Sequence, residues 1–181
     1  MSIEFDIIKE VVKRLDEAGI PYMITGSIAA NFYSIPRMTR DIDIVIELKK
    51  SNVERVYNAF EKDFYIDKDM VFDAVKRVGM FNVIHYEAVF KVDFIVRKND
   101  QYNIEGFKRR KKVKVDDLEF YIASPEDLIL SKLCWAKDGE SDLQITDVKN
   151  LLKQTKRLDE DYLTRWTKYL GVEDIYKKVK P

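Results

Sequence analysis

Apolar residues recur along this chain in two rhythms, one of three to four residues and one of two. Over residues 4–19, Ile7, Ile8, Val11, Val12, Leu15 and Ala18 fall on one side of a helix that Gly19 and Pro21 bring to a stop. Tyr22 to Thr25 is a short apolar strand, and residues 27–33 predict a helix opening directly after Gly26 and ended by Pro36. Residues 41–48 alternate with period two, a strand. Residues 52–62, with Val53, Val56, Tyr57 and Phe60, return to helical spacing, and 68–78 is a short helix closed by Gly79. Two strands, 80–86 and 89–96, are joined tightly enough to be a hairpin, and further strands are expected at 102–107, 112–115 and 119–122. Ser124 then caps a helix with Pro125 in its first position and Asp127 in its third. That helix carries Leu128, Ile129, Leu133 and Trp135, and stops near Gly139. Helices over 142–155 and 159–170 follow, with a basic tail at the end. The expected fold class is α+β: a mixed sheet flanked by helices over residues 1–122, and a helical C-terminal region, 123–181, packed on that core. No repeat or low-complexity tract interrupts it.

The most informative chemistry lies in the strand that begins Asp41-Ile42-Asp43. Side chains alternate faces along a strand, so Asp41 and Asp43 share one face while Ile42, Ile44, Ile46 and Leu48 share the other. Neighbouring carboxylates repel, and a purely structural strand gains nothing from them. A divalent cation reverses that balance, because hard oxygen ligands suit Mg²⁺. Two acids on one strand cover only one side of a cation pair, so a third is needed. Asp93 supplies it from a strand in which Val92, Phe94 and Val96 face one way and Lys91, Asp93 and Ile95 the other. If the two strands are neighbours, three carboxylates can hold two ions roughly 3.5–4 Å apart, the arrangement used for in-line phosphoryl displacement. Gly26-Ser27 fits beside them, since glycine lets backbone approach a phosphate and the serine adds a hydroxyl donor.

Gly26-Ser27, thirteen intervening residues, Asp41-Ile42-Asp43 and a later strand with Asp93 together resemble the DNA polymerase β-type nucleotidyltransferase superfamily. More narrowly, Arg37-Met38-Thr39-Arg40-Asp41-Ile42-Asp43 is similar to the Arg-x-Thr-x-Asp-hydrophobic-Asp motif of AbiEii-like nucleotidyltransferases. That branch includes toxins of toxin–antitoxin systems, alongside related small enzymes that inactivate aminoglycosides. Ser124 to Leu133 and Asp147 to Leu152 resemble its later segments, where a helical lysine and a following aspartate serve the nucleotide. The resemblance covers residues 20–152. It implies a Mg²⁺-dependent transfer of a nucleoside monophosphate from an NTP to a hydroxyl acceptor on RNA, protein or a small molecule. Asp41, Asp43 and Asp93 would be catalytic and metal-binding; Gly26, Ser27, Arg40, Lys132 and Asp147 would bind the nucleotide. It also implies a toxin with a cognate antitoxin as partner. The alternative is a catalytically inactive module of the same fold that binds a partner protein or RNA.

Plainer explanations stand beside these. Asp93 could simply pair with Lys91, Lys132 could be an exposed helix lysine, and Arg37 and Arg40 could pair with Asp41 or surface acids. His85, the only histidine, is expected to pack or hydrogen-bond, and Cys134 to fill a gap in the core. Lys108-Arg109-Arg110-Lys111-Lys112 is expected to be a solvated run, with RNA phosphates as the competing role. Tyr162, Trp166 and Tyr169 recur at helical spacing and are expected in the core of the helical half.

Composition narrows the rest. With 181 residues and 46% hydrophobic content, the chain can bury a genuine core. Lys+Arg and Asp+Glu balance at 32 each, so attraction to nucleic acid or acidic lipid must come from a local patch. A single cysteine rules out an internal disulfide and a zinc–thiolate cluster. The N-terminus has no apolar run of signal-peptide type, and no stretch approaches membrane-spanning length. The expectation is a soluble cytoplasmic protein with no membrane partner.

Overall fold

The two parallel strands at the centre of the sheet determine where everything else sits. The computed structural model describes residues 3–39, 41–139 and 141–180. In chain order, α1 is Ile3–Glu17, β1 Tyr22–Ile24, α2 Gly26–Ala30, β2 Asp41–Ile46, α3 Val53–Phe60 and β3 Phe64–Tyr65. Then come α4 Lys68–Arg77, β4 Met80–His85, β5 Lys91–Val96, α5 Gln101–Lys108, β6 Lys111–Val115 and β7 Leu118–Ile122. The chain finishes with α6 Pro125–Gly139, α7 Asp142–Gln154, α8 Glu160–Tyr169 and α9 Glu173–Val179. The seven strands form one mixed sheet in the order β3-β4-β5-β2-β1-β7-β6.

β2 and β5 pair in parallel, which requires a crossover; α3, β3, α4 and β4 provide it. Hydrophobic burial sets the register. Ile42, Ile44 and Ile46 of β2 and Val92 and Phe94 of β5 are each 0% exposed on the apolar face. There Phe60 of α3 packs edge to face on Phe94, with ring centroids 5.4 Å apart. A slip of one residue would send every one of these side chains to the polar face, so the register has no close competitor. β4 and β5 form the expected antiparallel hairpin.

α6 is buried nearly all round, with Leu128, Ile129, Leu130 and Leu133 at 0% exposure. Such a helix lies inside a fold. The buried apolar cluster accordingly runs without a break from Ile7 in α1 to Val179 in α9. No described helix is long and apolar enough to cross a membrane.

Three expectations change. Residues 102–107 belong to α5 and not to a strand. Asp100 caps it, accepting the Asn103 backbone N–H at 3.0 Å, and Phe107 is buried. Tyr102, Ile104 and Phe107 in a six-residue segment suit either period, and the cap favours the helix. The basic tail contains α9, which buries Tyr176 and Val179. Of the expected aromatic trio, Tyr162 and Trp166 are buried, but Tyr169 is 64% exposed and packs against the edge of Trp166.

The basic run is also divided. Arg109 lies over the Tyr162 ring, 3.9 Å from its centroid, and pairs with Glu126 and Asp159. Arg110 stacks on Phe107 and Tyr121, and Lys112 pairs with Glu119. Beneath Arg109, the buried Asp127 accepts from Ser124 and from the Tyr162 hydroxyl, each at 2.7 Å. The two arginines therefore fasten α5 to α6, α8 and β7, while Lys108, Lys111 and Lys112 are exposed, as expected of a solvated run. His85 behaves as expected, accepting the Ala88 N–H at Nδ1 and standing edge-on to Phe64.

Candidate active site

On the polar face of the central ladder, Asp43 of β2 and Asp93 of β5 are register partners, and Asp41 is opposite Lys91. All four side chains leave the same face of the sheet. Asp41 is exposed, Asp43 half-buried, and Asp93 only 6% exposed. Gly26 lies directly against Asp43: it has φ +63°, and a Cβ there would stand 2.1 Å from Asp43 Oδ2. The neighbouring Thr25 N–H donates to the Asp43 backbone carbonyl at 2.8 Å, which ties the turn after β1 to the acidic strand. No other residue type fits position 26, on conformation and on space.

Burial raises the Asp43 carboxyl above its ordinary pKa, and the charges of Asp93 and Asp41 push it further up; Lys91 and Lys132 oppose them. Among the described residues, Lys91 supplies a positive charge in contact with the group, with its ammonium 2.7 Å from Asp93 Oδ2 and 3.4 Å from Asp41 Oδ1. Its own pKa is raised by the hydrogen bond to Asp93. Among the described residues, no group of three or more His, Cys, Asp or Glu side chains is already drawn together as a metal cage. The donor set nevertheless fits a hard divalent cation. Its donors are carboxylate oxygens, an ammonium stands in as the cation between two of them, and the glycine, lacking a Cβ, gives the Asp43 carboxylate the room it occupies.

A second, positively charged arm faces the carboxylates. Asn31, just after α2, brackets Arg37 by accepting its backbone N–H at 3.0 Å and donating to its carbonyl at 2.9 Å. So anchored, Arg37 donates to the Ser27 hydroxyl and to both oxygens of Asp147, at 3.3 and 3.2 Å. Asp147 of α7 also accepts from Lys132 of α6 at 2.7 Å, and Lys132 donates to Gln144 at 3.2 Å. Lys132 is 3% exposed and Asp147 7%. Burial pushes the Asp147 carboxyl up, but the hydrogen bonds from Lys132 and Arg37 outweigh it and hold the group below the usual carboxylate range.

The structure thus brings Asp41, Asp43, Asp93 and Gly26 together, and joins Ser27, Lys132 and Asp147 through Arg37. Arg40 lies outside the described residues. Lys132 is not the exposed lysine of the plainer explanation, and α2 is only five residues long, so Ser27 meets a guanidinium more than a helix dipole. Three participants escaped notice in the sequence: Asn31, Gln144 and the bridging role of Arg37. Gln144 carried a faint signal, standing three residues before Asp147 on the same helical face. Arg37 opened the motif quoted above, but its partners, like those of Asn31, are set by the fold of the loop.

In fold, the chain is similar to the antibiotic-resistance factor ANT(2'')-Ia in solution, at 13% identity over 97% of each chain with a TM-score of 0.62. It is also similar to the lincosamide antibiotic adenylyltransferase LnuA with lincomycin bound, at 16% identity over 86% of this chain and 99% of that one, TM-score 0.54. A third likeness is to an antigenic nucleotidyltransferase-like protein from Paracoccidioides brasiliensis, at 19% identity over 84% of this chain and 76% of that one, TM-score 0.56. None of the curated proteins matches the sequence. The family described as "Nucleotidyl transferase of unknown function (DUF2204)" matches residues 4–178. Matched over nearly its whole length, and with the mixed sheet of the nucleotidyltransferase-like structures, the chain belongs to this nucleotidyl transferase family.

Proposed function

We propose that the protein moves a nucleoside monophosphate from an NTP to a hydroxyl acceptor, with Mg²⁺ as its cofactor. The observation that carries this reading is the register pair Asp43–Asp93, with Asp41 on the same face and Gly26 giving the Asp43 carboxylate room against the turn after β1. In the reaction the acceptor oxygen bonds to the α-phosphorus, the bond from that phosphorus to the β-phosphate bridge breaks, and pyrophosphate leaves. The hydroxyl proton passes to the Asp93 carboxylate. Asp41 and Asp43 would hold both ions and Asp93 one of them; when bound, the ions neutralise charge on the phosphoryl oxygens and activate the acceptor. Gly26 admits the triphosphate to the backbone, Ser27 and Arg37 meet its charge, the buried Lys132 adds its field from behind them, and Arg40 is a further nucleotide-binding candidate on the motif alone. Asp147 holds Arg37 and Lys132 in position. Catalysis of this kind rests on placement and charge stabilisation.

The names of the similar structures make a small antibiotic the first acceptor to try. The AbiEii-like motif in residues 37–43 supports a toxin with a cognate antitoxin and an RNA or protein acceptor. A catalytic core to residue 122 with a helical region from 123, and a cytoplasmic location, belong to the same reading. The test incubates the protein with α-labelled NTPs, Mg²⁺ and a panel of lincosamides, aminoglycosides, total RNA and protein. Label transfer that disappears in Asp43→Asn and Asp93→Asn, both checked for folding, supports the proposal. Calorimetry showing the same Mg²⁺–NTP binding in Asp41→Ala/Asp43→Ala as in wild type would overturn it, and nucleotide binding without transfer to any acceptor favours the inactive module.

A further inference from the structure

Lys91 opens β5 and faces Asp41 across the parallel ladder, one step from the Asp43–Asp93 pair. Standing two residues before Asp93, it must project from the same face. Three carboxylates on that face, one of them 6% exposed, need a compensating charge. Among the described residues, the other cations near the site are engaged elsewhere: Lys132 with Asp147 and Gln144, Arg37 with Asp147 and Ser27. The ammonium of Lys91 is 2.7 Å from Asp93 Oδ2 and 3.4 Å from Asp41 Oδ1, so it is the charge that balances the group.

A divalent ion needs those same oxygens. Mg²⁺ binds oxygen at about 2.0–2.1 Å, and an ammonium left on the same oxygens would be pressed against a doubly charged ion. The two cations exclude each other by distance and by charge. The Lys91 side chain is 41% exposed and its stem is flexible, so the ammonium has a path to solvent.

Resting on the assignment of Asp41, Asp43 and Asp93 as metal ligands, we propose that Lys91 is a positioning residue, an intramolecular counter-ion that holds the carboxylates in register until a divalent cation displaces it. The measured metal affinity is then the net result of an exchange. Removing the lysine charge tightens metal binding and loosens the metal-free site.

Mn²⁺ serves as the probe, in the full chain and without NTP, with free ion followed by electron paramagnetic resonance and binding by calorimetry. Lys91→Met keeps most of the stem and removes the charge, Lys91→Gln guards against a folding defect peculiar to Met, and Lys91→Arg keeps the charge. The expected result is a Kd for Mn²⁺ roughly tenfold or more lower in Lys91→Met and Lys91→Gln than in wild type, the scale of one unit charge at this range. Lys91→Arg stays near wild type. In EDTA both neutral variants melt below wild type, and saturating Mn²⁺ closes the gap. Unchanged or weaker Mn²⁺ binding in the neutral variants, while Asp43→Asn loses it, overturns the role of Lys91 alone. Asp43→Asn binding Mn²⁺ as wild type does, or no binding by any form, overturns the metal-ligand assignment and this inference with it.

Discussion

Asp147→Ala strands a buried lysine. Lys132 is 3% exposed, and its ammonium has two partners, Asp147 Oδ2 at 2.7 Å and Gln144 Oε1 at 3.2 Å. Without the carboxylate it keeps one neutral acceptor and must remain charged where water cannot reach it, or give up its proton. Removing one member of a buried ion pair costs about 3–5 kcal/mol. Arg37 adds little to that loss, because its side chain is 32% exposed and can turn to solvent. At about 2–4 °C per kcal/mol for a chain of this size, the expected fall in Tm is about 6–20 °C. Urea denaturation at pH 7 of wild type, Asp147→Ala, Lys132→Met and the double variant measures it. The double variant should recover most of the loss, since no charge is left behind. A loss under about 1 kcal/mol in Asp147→Ala, or a double variant as unstable as that single one, refutes the buried-pair account.

The same pair predicts a pH dependence. Asp147 is held below its ordinary value of 3.8, so its stabilisation is complete above that pH and is lost as pH falls through the lower folded-state value. The stability difference between wild type and Asp147→Ala should be flat through neutral pH and shrink below 3.8 in an acid titration followed by circular dichroism. Gly26→Ala places a methyl 2.1 Å from Asp43 Oδ2 at a positive φ; it should abolish transfer and cost about 2 kcal/mol or more in chemical denaturation. Asp43→Asn removes a carboxylate whose charged form is disfavoured by burial and by Asp93 and Asp41. The metal-free protein should gain about 1 kcal/mol at pH 7 as activity disappears, and a loss of stability would contradict that. Tyr162→Phe leaves Asp127 Oδ1 without its 2.7 Å donor in a buried site, an expected loss of about 1–3 kcal/mol with no change in nucleotide binding.

Alternation in 41–48 and 89–96 was enough to place three aspartates on polar strand faces and to name the apolar residues behind them. Ser124-Pro125 with Asp127 likewise marked the start of α6, and the Ser124 hydroxyl does receive the Asp127 N–H at 3.2 Å. Each of these signals lies within a few residues of its effect. Residues 102–107 show the limit of such reasoning: apolar positions alone suited a strand, and the Asp100 cap three residues before Asn103 turned the segment into α5. The arginines of the basic run had partners waiting in α6, α8 and β7, which no local pattern announces.

Local periodicity therefore dictated which face each acid takes and marked the helices other than α5 and α9. The pairing of β2 with β5 in parallel, and hence the meeting of Asp43 with Asp93, came from burying Ile42, Ile44, Val92 and Phe94 in a shared core. Arg37 and Asp147 stand 110 positions apart, and Lys132 meets Asp147 only because α6 is enclosed and α7 folds back on it. Side-chain direction is a property of neighbouring backbone units, whereas contact between distant groups is settled by the packing of the whole chain. That is why the shared face of the carboxylates followed from the strand pattern, whereas the bridging of Ser27 to Asp147 by Arg37 and the burial of Lys132 did not.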